Sequence, residues 1–488
     1  MSEITQMRSF LKERELDYLL INSSNEFLAE YTPLEENSRY ALTGFSGSTG
    51  DALLSADELY LFVDGRYHAQ ADKEVDPDVV TVVKLQTGQL FLDELVKKIK
   101  RGAVLGVFSA KNSQERVENL KDRGVNVKLL DSTLPERAPQ NIVHLDVSLT
   151  GLTSEEKKAE INIDGVLALT NPEEVSYILN ERDFSHNYSC SVNKKIKIGE
   201  GEYFYADKST ISAYDYGLLG DRARDLKDSP VKLMKSVKTE AEIEHYKTAF
   251  ARTDDTMRAI RSYIYDNDNI SEHDIAVRLE REFLKNGAKI LSFKPIVAKD
   301  RNSALAHYSK NSPDEVIEDG SLVLIDCGAF YEGGLATDIT RVFVKGRPSE
   351  LHKKVYTTVL KPLLHAFNMS GTGFEIDAKA REIMAQNPVE GFVFNHGLGH
   401  GIGINVHEYP PALNSTERAK VEITDNMCFT IEPGLYNENY FGVRLENACY
   451  FKAGKIHSFT NMNFEQKLIN YDMLNVQEKK MLDNFAVK

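Results

Sequence analysis

The pattern of apolar and polar positions changes along the chain, and the first 148 residues follow one pattern throughout. Short apolar runs alternate there with amphipathic stretches at helical spacing. This alternation of strand and helix predicts an α/β domain with a mixed or parallel sheet over 1–148. The predicted strands are 16–21, 59–63, 104–108 and 125–130, and the predicted helices include 4–15 and 114–121.

A shorter region follows a linker that is predicted at Pro135 and Pro139. The segment 149–234 combines a helical start with strand-like runs at 166–169 and 202–206. Its length leaves room for a small core only, so we expect a small middle domain.

From residue 235 onward, long helical runs come first and glycine-rich strand-like runs come after them. This grouping predicts an α+β domain over 235–488 with antiparallel strands. The predicted helices are 240–266 and 272–286, and the predicted strands are 322–326, 339–344, 427–431 and 443–451.

Composition narrows the class of protein. The 488 residues carry a net charge of −15, which argues against nucleic-acid binding because that affinity depends on basic surface. No apolar run approaches the ~20 residues of a membrane span, and residues 1–14 lack an apolar signal core. The four cysteines form no CxxC pair, as expected for free thiols in a reducing compartment. We therefore expect a cytoplasmic protein that binds neither nucleic acid nor membrane.

Two aspartates occupy unusual positions in the run 322–344, which has two strand-like halves around a Gly-Gly turn. Asp326 ends four apolar residues, where a carboxylate is costly unless it is paired or bound to a cation. Asp338 follows 12 residues later, near Asp326 across the predicted hairpin. The pair can hold two cations about 3.5–4 Å apart. On this run alone, turn capping or pairing with Arg341 is an equally good explanation.

Three histidines lie close together in a glycine-rich run: His396, His400 and His407. The first two have helical i, i+4 spacing, but each of the four interspersed glycines costs a helix about 1 kcal/mol. An extended or turning backbone that approaches a site closely is therefore expected instead of a zinc-binding helix. Such a concentration of histidine favours a functional role over a structural one.

Two glutamates, Glu432 and Glu446, also lie in apolar strand-like runs. Arg444 shares a strand face with Glu446 and can orient a ligand carboxylate, although a surface Arg–Glu pair explains that run alone better. Four carboxylates with a histidine suit Mn²⁺, Co²⁺ or Zn²⁺. Two cations that share a water lower its pKa and give a hydroxide nucleophile, which is the chemistry of metal-assisted amide hydrolysis.

Together these runs resemble the pita-bread metallopeptidases, the family of methionine aminopeptidase, prolidase and aminopeptidase P. The run 396–408 resembles the proline-peptidase motif of that family, and the resemblance implies a pita-bread fold for the catalytic domain. It also implies two divalent metal ions, most often Mn²⁺, with Co²⁺ and Zn²⁺ as alternatives. The implied metal ligands are Asp326, Asp338, His400, Glu432 and Glu446.

The family assigns each ligand a role. Asp338 and Glu446 are expected to bridge both ions, and Asp326 is expected to bind one of them. His400 and Glu432 are expected to bind the other ion. Glu432 is also expected to assist proton transfer during attack of the bridging hydroxide on the scissile carbonyl.

Further residues resemble the family's substrate-binding and catalytic groups. His307 resembles a histidine near the scissile carbonyl, although without the family it would pass for a loop histidine. His407 resembles the histidine that shuttles protons or contacts the carbonyl, and His396 resembles one that lines the proline pocket. Arg66 resembles an arginine that contacts substrate from the amino-terminal domain. We also expect Arg444 among the substrate-binding residues.

The resemblance extends to the rest of the chain. Residues 39–69 resemble the first domain of creatinase and aminopeptidase P, which implies a creatinase-like α/β domain over 1–148. Residues 151–182 and 466–474 resemble the middle domain and the ending of three-domain aminopeptidase P. The implied activity is metal-dependent removal of the first residue from peptides with proline second, by a homodimer.

Two departures and several alternatives remain. The hairpin aspartates are 12 residues apart where the family usually has 11, and a bulge or a longer turn can absorb the extra residue. The middle domain at 149–234 is shorter than usual. A prolidase that cleaves Xaa-Pro dipeptides is the alternative enzyme. A non-catalytic pita-bread binding protein or a metal-free hydrolase like creatinase is disfavoured, because all five ligand positions are filled.

Overall fold

The computed structural model describes most of the chain, namely residues 3–30, 32, 34–86, 88–131 and 139–485. Pro135 of the predicted linker lies outside these residues. The chain divides into two compact units. The first unit comprises 1–140, 158–178 and 192–230, and the second comprises 141–157, 179–191 and 231–488. The segment 149–234 contributes to both units, and the domain boundaries at 148 and 234 stay a prediction.

The strands of the described residues are numbered here in chain order. They are β1 (Tyr18–Asn22), β2 (Asp51–Ser55), β3 (Leu59–Val63), β4 (Thr81–Lys84), β5 (Val104–Phe108), β6 (Asn126–Leu130), β7 (Ile142–His144), β8 (Val166–Leu169), β9 (Glu181–Asp183), β10 (Ile196–Ile198), β11 (Phe204–Ala206), β12 (Ala223–Asp225), β13 (Ile290–Leu291), β14 (Ile296–Lys299), β15 (Leu322–Cys327), β16 (Ala329–Phe330), β17 (Ile339–Val344), β18 (Gly399–Gly401), β19 (Glu408–Leu413), β20 (Cys428–Ile431), β21 (Gly434–Tyr436), β22 (Gly442–Arg444), β23 (Asn447–Lys452) and β24 (Lys455–Ser458).

The α-helices of the described residues are numbered in the same way. They are α1 (Glu3–Glu13), α2 (Ser38–Thr43), α3 (His68–Glu74), α4 (Phe91–Val96), α5 (Gln114–Asp122), α6 (Val147–Thr150), α7 (Ser154–Ala159), α8 (Pro172–Leu179), α9 (Ala213–Leu218), α10 (Pro230–Ser236), α11 (Glu240–Asp266), α12 (Glu272–Lys285), α13 (Glu350–Ala366), α14 (Gly373–Ala385) and α15 (Val476–Asp483).

Short 3-10 helices connect some of these elements. They are Ser109–Lys111, Gly220–Arg222, Asp300–Ala304, Glu417–Lys420, Gln466–Leu468 and Tyr471–Met473. Within the described ranges, no helix combines the length and the apolar character that crossing a membrane requires.

The described residues of the first unit form two sheets. The larger has the order β4-β3-β2-β1-β5-β6, in which β2 pairs antiparallel with both neighbours and the other pairs are parallel. This confirms the mixed sheet predicted from the sequence. The smaller sheet, β10-β8-β11-β12, comes from the segment predicted to form a middle domain. Apolar side chains on both faces of β1 are buried, so the larger sheet is covered on both sides.

The second unit contains two larger antiparallel sheets, β14-β15-β17 and β19-β18-β20-β23-β24. Side chains alternate along β15, so Val323 and Ile325 pack with the cluster of α11 and α12. Leu322 and Leu324 point to the other face, into the cluster of α13, α14 and β20. This burial on both faces explains the uninterrupted apolar run before Asp326.

The extra residue of the aspartate hairpin lies in its turn. Cys327 pairs with Ile339, and Phe330 pairs with Ala336, so both strands advance by the same number of residues between these pairs. Neither strand therefore carries a bulge. Gly334 donates its backbone N–H to Tyr331 at 2.9 Å and has a positive φ of 59°, which places the predicted Gly-Gly turn here.

Gly328 allows the two arms of this hairpin to approach closely. A Cβ there would lie 1.8 Å from the carbonyl oxygen of Thr337 and 2.5 Å from Ser292 Oγ. We expect Gly328→Ala to lower the free energy of unfolding by about 1–3 kcal/mol, because the backbone must shift to relieve the clash. Urea unfolding checks this.

Gly217→Ala is the matched control. No atom lies within 4 Å of a Cβ at Gly217, and alanine in this helical position is favoured by about 0.5–1 kcal/mol. Equal urea midpoints for the two variants would contradict the close approach at Gly328.

Candidate metal centre

The five predicted ligands lie on five different segments of the second unit. The backbone N–H of Glu432 donates to Leu398 O at 2.7 Å, which ties the end of β20 to the histidine run. The N–H of Glu446 donates to Thr340 O at 3.1 Å, which ties it to β17. The ligand positions are the end region of β15 (Asp326), the residue before β17 (Asp338), β18 (His400), the residue after β20 (Glu432) and the gap between β22 and β23 (Glu446).

The hairpin presents both aspartates on one face. Asp326 pairs with Thr340 in the ladder, so Asp338, two residues before Thr340, is its diagonal neighbour. Diagonal neighbours on one face are close enough for their side chains to converge on one site.

His400 presents one ring nitrogen to the carboxylates. Its Nδ1 lies 3.0 Å from the carbonyl oxygen of Gly401, and a carbonyl accepts, so Nδ1 carries the proton. Its Nε2 lies 3.7 Å from Asp338 Oδ2 and 3.6 Å from Glu432 Oε1. An imidazole with one nitrogen fixed by a carbonyl and the other facing two carboxylates is the arrangement of a metal-binding histidine.

Three of the predicted ligands are already close enough to share an ion. Asp338, His400 and Glu446 offer ligand atoms that all lie within 4.8 Å of one another. In addition, Asp326 Oδ1 and Glu446 Oε1 are buried atoms without a hydrogen-bond partner. Such oxygens are costly to bury unless a cation satisfies them, so these residues fit a metal site.

The charges of the site lead to the same conclusion. Burial and the nearby carboxylates, first Glu446 and then Asp326, raise the pKa of Asp338 well above its usual value. Burial and the charge of Asp326 raise the pKa of Glu446 to about 7. Two divalent cations would balance the charge of the four carboxylates and remove this repulsion.

Thr340 and Tyr436, which the sequence analysis did not identify, hydrogen-bond to Glu446 and to Arg444. Thr340 Oγ1 donates to Glu446 Oε2 at 2.8 Å and accepts from Arg444 Nε at 3.2 Å. Tyr436 accepts from an Arg444 guanidinium nitrogen at 2.9 Å. Strand parity could have indicated Thr340, which shares the face of both aspartates, whereas no sequence signal identified Tyr436.

Arg444 is buried, with 3% of its surface exposed, and its guanidinium donates to Asp326 Oδ2. A second hydrogen bond reaches Ala306 O at 3.2 Å. The alternative of a surface Arg444–Glu446 pair is therefore wrong. The alternative of Arg341 pairing with the aspartates is also wrong, because its guanidinium donates to the carbonyls of Thr340, Glu446 and Met462 and to the side chain of Asn447.

The glycines of the histidine run serve close packing, as predicted. A Cβ at Gly399 would lie 1.9 Å from Thr430 O, and one at Gly401 would lie 2.7 Å from Glu408 O. His400 accordingly lies on strand β18 and not on a helix. The predicted strand 443–451 needs correction, because it is interrupted between β22 and β23, where the backbone turns toward β17.

The other predicted histidines lie at different distances from this centre. The ring of His407 meets the ring of His400 edge to face, with centroids 4.5 Å apart. His396 shares a hydrogen bond of 2.8 Å with Tyr436 OH, the same hydroxyl that accepts from Arg444. His307 is half-buried and directly follows Ala306, whose carbonyl accepts from Arg444.

Arg66 belongs to the first unit. Its guanidinium donates to both carboxylate oxygens of Asp64, at 2.9 and 2.8 Å, and to Thr49 Oγ1 at 3.1 Å. Its contact with substrate stays a prediction.

Two family models match the chain. Residues 244–453 match the metallopeptidase family M24, and residues 4–137 match the creatinase/prolidase N-terminal domain. The fold and the ligand set therefore define a metallopeptidase with a creatinase-type amino-terminal domain. Residues 244–453 therefore belong to family M24, the pita-bread metallopeptidases, which confirms the resemblance and the fold class.

Curated relatives and a solved structure are similar over nearly the whole chain. A probable Xaa-Pro aminopeptidase P from Ajellomyces capsulatus (strain NAm1 / WU24) is 26% identical, over 99% of this chain and 94% of the relative. Xaa-Pro aminopeptidase 1 from Dictyostelium discoideum is also 26% identical, over 99% of this chain and 91% of the relative.

The solved structure is an X-prolyl aminopeptidase from Caenorhabditis elegans, described as a cytosolic enzyme with a di-nuclear active site. It matches with a TM-score of 0.89 and 21% identity, over 99% of this chain and 94% of that one. At this identity the likeness shows the shared fold.

Thr340→Val tests the group that holds Glu446. Valine keeps the shape but removes the hydroxyl that donates to Glu446 and accepts from Arg444. We expect metal affinity to fall about 10–100-fold, which is typical for loss of a group that orients a ligand. Calorimetric titration of Mn²⁺ into metal-free protein measures it.

Thr358→Val is the matched control, because Thr358 is fully buried in α13 and its hydroxyl has no hydrogen-bond partner. This variant should bind metal like the wild type. Equal affinity of Thr340→Val and wild type would contradict the role given to Thr340.

The raised pKa of Glu446 predicts a pH dependence of the metal-free protein. An acid whose pKa rises on folding binds more protons when folded, so the free energy of unfolding falls as pH rises. For Glu446 this window runs from about 4.3, the unfolded value, to about 7. Compared with Glu446→Gln, the metal-free wild type should lose stability across this window. Parallel pH profiles in urea unfolding would contradict the repulsion between these carboxylates.

Proposed function

We propose that the protein is a metal-dependent exopeptidase that hydrolyses the Xaa-Pro bond at the amino terminus of peptides. The observation that carries this proposal is the convergence of four carboxylates and His400 at one buried point. The specificity for proline at the second position is supported by the aligned relatives, both of which are named as Xaa-Pro aminopeptidases.

The proposed cofactor is a pair of divalent ions, with Mn²⁺ preferred and Co²⁺ or Zn²⁺ as alternatives. Oxygen-rich ligation with one imidazole supports these metals. Asp338 and Glu446 would bridge both ions, Asp326 would bind one, and His400 and Glu432 would bind the other. The C. elegans enzyme, with its di-nuclear site and cytosolic location, supports both the ion pair and a cytoplasmic location.

When bound, the ions supply a nucleophilic hydroxide at neutral pH and polarise the scissile carbonyl. A role of Glu432 in proton transfer is supported by its exposure, because its side chain is 18% exposed, compared with 12% for Asp326 and 7% for Asp338. Glu432 would take a proton from the attacking water and deliver it to the proline nitrogen as the bond breaks.

The histidines would bind and polarise the substrate. His407, against the ring of the proposed ligand His400, would shuttle protons or contact the scissile carbonyl. His307 would lie near this carbonyl or its oxyanion, and His396 would line the proline pocket. Arg66 is proposed to contact substrate as well, whereas the burial of Arg444 supports orientation of Asp326 over direct substrate contact.

Peptides are the proposed partners, and neither nucleic acid nor membrane is expected. A homodimer stays part of the proposal. A shortened middle domain is likewise part of the proposal, and the alignments are longer than this chain, so the relatives carry residues that it lacks.

Peptide series with different lengths distinguish the proposed enzyme from a prolidase. The Mn²⁺-loaded protein should release the first residue from Xaa-Pro-Pro, act much more slowly on the Xaa-Pro dipeptide, and leave Xaa-Ala-Pro intact. Chelation should abolish turnover, and added Mn²⁺ should restore it. Mass spectrometry of the products measures each rate.

Glu446→Gln is the control, because it lacks a bridging carboxylate and should be inactive. Turnover of dipeptides alone would identify a prolidase. Activity that survives chelation would exclude the metal mechanism, and a metal-loaded protein without turnover would favour a non-catalytic binding protein.

A further inference from the structure

A second buried charge cluster lies beside the histidine run, in the same unit. Glu408 directly follows His407, and its carboxylate is paired with two lysines. Lys235 Nζ lies 2.9 Å from Oε1, and Lys238 Nζ lies 3.5 Å from Oε2. All three side chains are buried, with 2%, 8% and 3% of their surface exposed. None of the three is a predicted metal ligand.

The Glu408 carboxylate also holds the turn that carries His407. Its Oε1 accepts from the backbone N–H of Asn405 at 3.2 Å. A Cβ at Gly403 would lie 2.3 Å from Oε2, so glycine is required for the carboxylate to lie against this turn. Residues 403–408 are therefore folded around the carboxylate of Glu408.

This turn is joined to two of the segments that carry predicted ligands, namely β18 and the aspartate hairpin. Gly401, next to His400, pairs with Glu408 between β18 and β19. The N–H of Ala336, in the aspartate hairpin, donates to Gly403 O at 2.7 Å. A shift of the 403–408 turn would therefore change the position of His407 relative to His400.

Stability alone is a poor reason for such a cluster. Desolvation of buried ions offsets much of their attraction, and apolar replacements of similar volume are often as stable or more so. However, the Lys235 ammonium and the Asn405 N–H both hold Oε1, and the Lys238 ammonium places a second positive charge beside Oε2. The adjacent His407 is a side chain whose position matters for the proposed chemistry.

We propose that Glu408, anchored by Lys235 and Lys238, is a positioning residue that fixes the 403–408 turn and thereby holds His407 against His400. The kinetic part of this inference rests on the proposed function. The structural part, immobilisation of the turn, does not depend on any activity.

Glu408→Gln tests the proposal, because glutamine keeps the size and removes the charge. We expect kcat on Xaa-Pro-Pro to fall about 10–100-fold, since small misplacements of catalytic groups have effects of this size. KM should change less than about threefold, because the loss concerns the transition state, and bound metal should match the wild type. Lys235→Met should act in the same direction and replaces Glu408→Gln if that variant does not fold.

Glu478→Gln is the matched control. Glu478 is likewise buried and paired with a lysine, Lys361, at 3.3 Å, and also with His365, at 3.1 Å. These residues lie on α13 and α15 and are not predicted site residues. The control should lose comparable stability in urea but retain kcat within about twofold, because it leaves the geometry of the reacting groups intact.

Hydrogen–deuterium exchange of the metal-loaded proteins gives a readout that needs no turnover. Backbone amides of 402–408 should exchange faster in Glu408→Gln, whereas Glu478→Gln should affect only α13 and α15. Unchanged exchange at 402–408 would overturn the proposal, and so would faster exchange with wild-type kcat. A wild type without Xaa-Pro turnover would refute the proposed function alone, and exchange would still decide the role of Glu408.

Discussion

Carboxylates that are buried close together repel one another, and the second unit gathers four of them around a single point. Each can stay ionised there only if donors or cations compensate its charge. The protein supplies few donors. Arg444 serves Asp326, and Thr340 serves Glu446, while one oxygen of each of these acids has no hydrogen-bond partner. Protons or cations must therefore compensate the remaining charge, and the raised pKa values of Asp338 and Glu446 mean that the fully ionised set fits bound cations.

Packing and hydrogen bonds within the second unit hold these carboxylates in position. β15 is buried on both faces, so its end cannot move without disturbing two apolar clusters. Arg444 connects Asp326 to Tyr436 and to the carbonyl of Ala306 through one guanidinium. His396 shares the Tyr436 hydroxyl. Displacement of one of these groups would thus affect both Asp326, a proposed metal ligand, and His396.

Much of this site could be predicted from the sequence, because several of its residues lie in unusual local sequence patterns. Asp326 after four apolar residues, and glycines at alternate positions around His400, each conflict with ordinary secondary structure. Such conflicts indicate functional sites. The parts that were missed depend on pairing between distant segments. Thr340 and Glu446 are 106 residues apart in sequence, and the break before β23 exists because Glu446 turns to pair with β17. No local pattern contains that information.

The aspartate hairpin is one residue longer than usual, but the extra residue does not change the relative positions of the two aspartates. The register is continuous from the Asp326–Thr340 pair to the Phe330–Ala336 pair, so the additional residue lies beyond the ligands, in the turn. That turn is not left unsupported, because Ala336 donates to Gly403, within the turn that Glu408 holds. The aspartate hairpin and the histidine run are therefore hydrogen-bonded to each other next to the turn that holds the extra residue. The extra residue lies in the turn between Phe330 and Ala336, so the diagonal placement of Asp326 and Asp338 is preserved.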